Sequence, residues 1–434
     1  MISFLKKQPP VRLIACGFLF VIFLGSFLLM LPISLNEGIR LSYIDALYTS
    51  VSAVCVTGLS SIEPGVTFTV FGKTVLGLLI QIGGLGVTTV GAGFIMLMGK
   101  KMNLKGRNLI HEAMNLDSGK GALRFLKEVF FTVLIIEAAG AICSFAFFIQ
   151  EFQWYDALGY SIFHAISAFN NAGFDIFGRG NNLIPYQNDV FFNVVTCVLI
   201  ILGGIGFLVI REMRTNGFKW RKYSMHAKVV LLMTTILLLS GTLLIKITEW
   251  ENITWLGAFF ASVTARTAGF STFSFADFTT AGLFVMMILM FIGASSGSTG
   301  GGIKTTTVFV IIKTISTAVR NGDAKAFKYT IPRQAYKKAS VIVFIGISVI
   351  SVSTLLLCIF EPTVEFVDIL FEMVSASATV GLSTGITAEL SIASKLVSMV
   401  VMYIGRLGPL AVVSIWNFQR SSCVRYPYGN IAIG

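Results

Sequence analysis

VTGLS (56–60), NAGFD (171–175), TAGFS (267–271) and TVGLS (379–383) are four versions of one short loop, each set in apolar sequence. Their central glycines, Gly58, Gly173, Gly269 and Gly381, are spaced 115, 96 and 112 residues apart. An aromatic residue stands ten positions before each glycine (Tyr48, Phe163, Phe259, Phe371) and a small residue five before (Ala53, Ala168, Thr264, Ala376). A fourfold internal repeat constrains the architecture ahead of any local argument. Four copies of one loop between apolar helices can surround a single axis, which is how a membrane builds a cation filter.

The chain is 55% hydrophobic and 12% charged, too little polar surface for a soluble body, so it belongs in a bilayer. Stretches of about 20 apolar residues, the length that crosses the hydrocarbon core, lie near 11–31, 73–99, 128–149, 190–210, 228–248, 280–318, 340–360 and 394–417. Shorter stretches at 43–56, 157–170, 255–266 and 367–378 read as re-entrant half-helices. The expected fold is an all-α membrane protein of four tandem span–half-helix–span repeats around one pseudo-fourfold pore. The repeats cover 11–100, 122–214, 226–320 and 338–420, with a tail at 421–434. Two crossings per unit return the chain to its starting side, so all four repeats are parallel about the membrane normal.

The net charge of +12 is unevenly placed: the segments 100–127, 211–228 and 320–338 are rich in Lys and Arg, whereas the opposite loops carry Glu37, Glu63, Glu151, Glu249, Glu251, Glu361 and Glu365. The positive-inside rule then makes both termini cytoplasmic in a multi-pass plasma-membrane protein. The basic balance needs no nucleic acid to explain it; the partner is membrane lipid. The six cysteines form no disulfide framework or zinc spacing, and His111, His164 and His226 are scattered. No nucleophile–base set is present, so the chain is not expected to be an enzyme. Glu137 and Lys246 read as packing or interface groups.

A dehydrated alkali cation needs several oxygens at once, and inward-turned backbone carbonyls supply them. Glycine permits the backbone geometry and close approach to the ion. The candidate filter is therefore Val56, Thr57, Gly58; Asn171, Ala172, Gly173; Thr267, Ala268, Gly269; and Thr379, Val380, Gly381, with Gly58 leaving space at the pore axis. Asp45, Asp156 and Asp368 near three half-helix N-termini suit the helix dipole, whose opposite end then favours a cation at the loop. The rival reading makes each glycine a helix C-cap; four copies in matched topology favour the filter.

A second repeat follows each filter: IGGLG (82–86), LGGIG (202–206), GGGIK (300–304) and IGRLG (404–408). In the third unit, GASSGSTGGGIKTTT (293–307) has the Gly, Ser and Thr density that breaks a helix. Broken backbone at membrane depth is tolerated where protein buries it or it lines a cavity. A gate is expected here from Gly297, Ser298, Thr299, Gly300, Gly301, Gly302 and Lys304, with Lys304 close enough to the membrane surface to snorkel. Arg406, in an apolar span, costs about 2.5–3.5 kcal/mol at the bilayer centre on insertion scales and should face the interior. It is read as a pore charge touching the loop, against a structural arginine bonded to carbonyls of a kinked helix near Pro409. Small-residue packing is the rival for the glycine pairs Gly83–Gly84 and Gly203–Gly204.

Four one-glycine filters, the glycine run before Lys304 and the helix-borne Arg406 together resemble the Trk/Ktr/HKT superfamily of potassium transporters, most closely its KtrB-type membrane subunits. The resemblance spans essentially the whole chain. It implies potassium as the permeant ligand, because Gly58 stands where a serine accompanies sodium selectivity. It also implies an intramembrane gating loop at 293–307, a homodimer and a cytoplasmic ring of nucleotide-binding RCK/KTN-type subunits. Sodium is a candidate activator, and no covalent cofactor is expected. The competing function classes are a secondary transporter for a larger solute and a membrane-embedded enzyme.

Overall fold

The computed structural model describes residues 10–86, 89–91, 122–178, 182–217, 219–320, 324–409 and 411–412. The tail at 421–434, most of the basic segment 100–127 and both termini lie outside the described residues. Counting helices of ten residues or more, the first unit consists of α1 (Pro10–Leu29), α2 (Tyr43–Cys55) and α3 (Val70–Leu85). The second repeats this plan as α4 (Ala122–Phe148), α5 (Trp154–Phe169) and α6 (Val190–Ile205), then adds α7 (Phe207–Asn216). The third comprises α8 (Met225–Thr248), α9 (Trp255–Thr264), α10 (Thr280–Phe291) and α11 (Thr305–Arg320). The fourth comprises α12 (Arg333–Phe360), α13 (Phe366–Ala378) and α14 (Ile392–Leu407). The only strands among the described residues, Lys325–Ala326 and Tyr329–Thr330, pair as a short hairpin whose turn, Phe327–Lys328, has positive φ at both residues.

Local chemistry repeats with the plan. Side chains of Thr69, Asp189, Thr279 and Ser391 each accept the N–H three residues on and so start α3, α6, α10 and α14. The half-helices α2, α5, α9 and α13 are enclosed along most of their length. Each is packed by the helix that follows the loop of the preceding unit: α3 against α5, α6 against α9, α10 against α13, and α14 against α2. The last contact closes the ring. It is fixed by the Tyr48 hydroxyl at 3.2 Å from Ser398 Oγ and by Lys395 Nζ at 3.0 Å from Asp45 Oδ1.

The first helix of every unit is long and apolar enough to cross a bilayer by itself. The second spans differ from expectation. The sequence reading breaks only the third; among the described residues all four are interrupted. Helices α3, α6 and α14 stop at Gly86 (φ 84°, ψ 135°), Gly206 (φ 93°, ψ 145°) and Gly408 (φ 88°, ψ 137°). α6 and α7 meet at 101° across Gly206. That backbone region is nearly closed to residues bearing a Cβ, so the last glycine of IGGLG, LGGIG and IGRLG is a helix stop. Hydropathy continues through the glycine and does not register it. At 16 residues each, and 1.5 Å per residue, these helices reach about 24 Å, short of a core about 30 Å thick.

Candidate functional site

Three half-helices end in the same way. Val56, Asn171 and Thr379 are left-handed, with φ of 57°, 58° and 52°. Their N–H groups bond the carbonyls of Ala53, Ala168 and Ala376, and the next N–H groups (Thr57, Ala172, Val380) reach back to Ser52, Ser167 and Ser375 at 2.8–2.9 Å. This is a Schellman closure with the left-handed residue at C′. In the third unit Thr267 is also left-handed, at φ 75°, but Ala268 N–H bonds the Thr264 carbonyl at 2.9 Å. The capping residue is therefore the first of each triplet, not the glycine two places on. Left-handed backbone at a non-glycine residue costs about 1–3 kcal/mol, and three of these four are β-branched.

The glycines have a second requirement. Gly58, Gly173, Gly269 and Gly381 have φ of 96°, 68°, 82° and 95°, while the middle residues Thr57, Ala172, Ala268 and Val380 are not in positive-φ conformations. Backbone of alternating hand turns its N–H groups to one side and its carbonyls to the other. A Cβ on Gly58 would sit 2.6 Å from the Ala172 carbonyl oxygen, and one on Gly173 2.7 Å from that of Ala268. One on Gly269 would strike the Val380 oxygen, and one on Gly381 the Thr57 oxygen. The four triplets thus form a closed ring in which each glycine receives the middle carbonyl of the next segment. The space expected beside Gly58 at the axis is instead filled by neighbouring backbone.

Hydroxyl groups brace this ring from behind. Ser52 Oγ accepts from Gly58 N–H at 3.0 Å and Ser375 Oγ from Gly381 N–H at 3.1 Å. Ser167 Oγ donates to the Phe174 carbonyl at 2.8 Å, and Thr264 Oγ1 to that of Phe270 at 2.6 Å. Sequence reasoning singles out Thr264 only as a small residue of the repeat and misses Ser52, Ser167 and Ser375, although a serine six positions before the glycine in three units is the available signal. It also missed Glu372, fully buried on α13, which accepts from Thr387 Oγ1 at 2.5 Å. The glycine pairs of the second repeat are close-packing sites. A Cβ on Gly83, Gly203 or Gly405 would strike the carbonyl of Val54, Phe169 or Ser377, in each case the residue four before a glycine of the ring.

The 293–307 segment lies against the same ring. Ser295 N–H bonds the Gly204 carbonyl (3.0 Å), and Thr299 N–H and Oγ1 bond that of Gly203 (3.3 and 3.2 Å). Gly301 N–H donates to Thr379 Oγ1 at 3.0 Å, and a Cβ on Gly300 would strike Thr267 Oγ1. The loop therefore touches the first triplet residue of two units and the α6 terminus of another. Arg406, half-buried, donates through Nη1 to the Thr299 carbonyl and through Nη2 to those of Gly83 and Gly84. Both readings of this arginine thus find a contact, but the helix-end carbonyls belong to α3, not to its own helix. Lys304 Nζ folds back to the carbonyls of Gly300 (2.5 Å) and Gly301 (3.1 Å) instead of snorkelling. A cavity of about 600 Å³ is bordered by this loop, the helix stops Gly86 and Gly408, and Arg406. Among the described residues no group of three or more His, Cys, Asp or Glu could hold a metal.

A family model described as TrkH, cation transport protein, matches residues 14–418. The chain belongs to this family. It is 38% identical to the Ktr system potassium uptake protein B of Bacillus subtilis, across 100% of this chain and 98% of that protein. It is 37% identical to the potassium/sodium uptake protein NtpJ of Enterococcus hirae, across 99% and 98%. The crystal structure of the potassium transporter TrkH from Vibrio parahaemolyticus shares the fold, with a TM-score of 0.72 at 19% identity over 93% of this chain and 86% of that one. The family is one of transporters, not enzymes.

Proposed function

We propose that this protein is the potassium-conducting membrane subunit of a Ktr-type uptake system. The observation that carries the reading is the closed ring of glycines 58, 173, 269 and 381, each against the middle carbonyl of the next segment. Such a ring offers an ion four sets of carbonyl dipoles in place of its water, and the C-terminal ends of four half-helices add favourable field. Potassium is favoured by glycine in all four segments and by the names of the relatives at 36–38% identity. The residues 297–302 act as the gate, held across the path by Thr299, Gly301 and Lys304. Arg406 locks the gate and supplies a positive barrier in a low-dielectric setting, where a charge acts strongly. The basic segments 100–127, 211–228 and 320–338 put both termini in the cytoplasm.

A cytoplasmic nucleotide-binding ring beneath a homodimer is the proposed regulatory partner, in keeping with relatives named as parts of a Ktr system. Sodium is the proposed activator. The test is growth and potassium uptake in cells stripped of their own potassium transport, with and without sodium and a co-expressed soluble partner. Rescue at low potassium supports the reading; a well-expressed chain that restores nothing, or moves only sodium, contradicts it. The relative named for potassium and sodium together motivates a second reading, in which sodium is itself carried. Sodium entry that tracks potassium uptake at fixed stoichiometry would favour that reading.

A further inference from the structure

Glu137 sits near the middle of α4, a helix of 27 residues, where an acid is costly in hydrocarbon and demands a partner. Its carboxylate has two. Oε2 accepts from Gln81 Nε2 at 3.2 Å, and Oε1 accepts from Asn170 Nδ2 at 3.0 Å. Asn170 Nδ2 also lies 2.8 Å from Gln81 Oε1, so three side chains from α3, α4 and the end of α5 close a triangle at the joint between the first and second units. Asn170 caps α5 and immediately precedes Asn171, the left-handed first residue of the second filter triplet. On its other side Asn170 fills the position where Gly84 lacks a Cβ, and the Gly83 and Gly84 carbonyls there receive Arg406.

The arrangement is not repeated around the ring. Three residues before the other filter glycines stand Cys55, Arg266 and Ala378, and the counterparts of Glu137, 36 residues before, are Ile22, Met233 and Ile345. Helix packing alone is thus achieved in the other units without an acid at this position. We propose that Glu137 is a positioning residue for the second filter segment: through Asn170 and Gln81 it holds the Asn171 backbone in its left-handed conformation and in register with the Gly83–Gly84 anchor of Arg406. The inference rests on the filter reading above. With the carboxylate gone, Asn170 Nδ2 keeps Gln81 Oε1 and the Ile166 carbonyl (2.9 Å) but loses the acceptor that ties it to α4, and the second segment can relax to admit sodium.

The test is potassium uptake with sodium as competitor, by the full-length protein in cells lacking other potassium transport, with the amount in the membrane measured alongside. Glu137→Leu removes both acceptors while suiting lipid better than the acid does, so the variant should accumulate normally. It should lower the potassium-to-sodium preference about tenfold, the scale on which contacting residues couple. Asn170→Ala should do the same, and the double variant should be no worse than either alone. Glu137→Gln, which keeps one acceptor oxygen, should fall between. Gly173→Ser is the control for the filter itself. If Gly173→Ser alters selectivity and Glu137→Leu does not, or if the Glu137 and Asn170 effects simply add, the positioning role is wrong and the filter stands. If neither alters selectivity, the filter reading fails first. If Glu137→Leu does not accumulate and Glu137→Gln is wild type in selectivity, the acid is only structural and the inference is overturned.

Discussion

The second spans of the first, second and fourth units and that of the third solve one problem in two ways. In three units a single glycine ends the helix, with φ of 84–93° and ψ of 135–145°. In the third, α10 ends at Phe291 and α11 begins only at Thr305, and the intervening chain is laid against three neighbours. Interruption is therefore a property of the repeat, giving each half-helix a helix end to rest upon. Length is what distinguishes the third unit, and under the proposed gate it is the part available for regulation. The residues between α10 and α11 bond to α6, to Thr379 and to Arg406, whereas a Cβ on Gly408 would meet nothing within 4 Å.

The largest effect is expected at the ring that all four units share. A Cβ on Gly269 would press on the Val380 oxygen and on the Cα atoms of both Gly173 and Gly381, at a backbone angle that already disfavours a side chain. Gly269→Ser should cut potassium uptake roughly tenfold or more, since displacement and strain of 1–3 kcal/mol convert at 1.4 kcal/mol per decade. Wild-type uptake and selectivity in this variant would remove the ring from the account.

Deleting residues 297–302 makes the third unit more like the others. Potassium flux should rise several-fold and depend less on the soluble partner. A correctly inserted deletion that conducts less than the parent would mark the loop as packing. Thr299→Val, which loses only the hydroxyl bonds to Phe169 and Gly203, should move flux in the same direction by a smaller factor.

Arg406 separates charge from geometry. Gln at this position removes the charge and should raise flux; Lys keeps a point charge but loses the fork that spans the Thr299 and Gly83–Gly84 carbonyls. Its flux should stay nearer to wild type, and uptake measured for the two variants at equal membrane abundance decides. Equal flux from both would show that the charge is not the barrier.

The smallest effect compares two stops of the same shape. Gly206→Ala and Gly408→Ala should each lose about 1–3 kcal/mol of stability to backbone strain, read as similar drops in thermal unfolding in detergent. Only at Gly206 would the new Cβ press on the loop, 2.9 Å from the Ser296 carbonyl oxygen. Gly206→Ala alone should also change flux.

The half-helices and their triplets were legible because composition, length and fourfold spacing all carry the same signal. The observed α2, α5, α9 and α13 fall within a few residues of the apolar stretches read from sequence. The stops at Gly86, Gly206 and Gly408 were not legible, because apolar residues continue on both sides and only backbone angles record the break. Val56 and Thr379 at left-handed positions run against propensity, so the only cap weighed from sequence is the glycine two places on, as the rival to the filter. Glu137 reads from sequence only as a packing or interface group, and Arg266, just past the end of α9, carries no sequence signal of its own. Their partners, Asn170 and Gln81 for one and Thr234 for the other, are brought near only by packing between helices distant in sequence.

The central claim is that one axis carries one ion site made by all four units. Crystals of the protein grown with thallium in place of potassium would test it by anomalous scattering. The account predicts a peak on the axis of the ring, within coordination distance of carbonyl oxygens from the triplets at 56–58, 171–173, 267–269 and 379–381. Well-diffracting crystals with no peak there, or with a peak held by side chains of one unit alone, would contradict it.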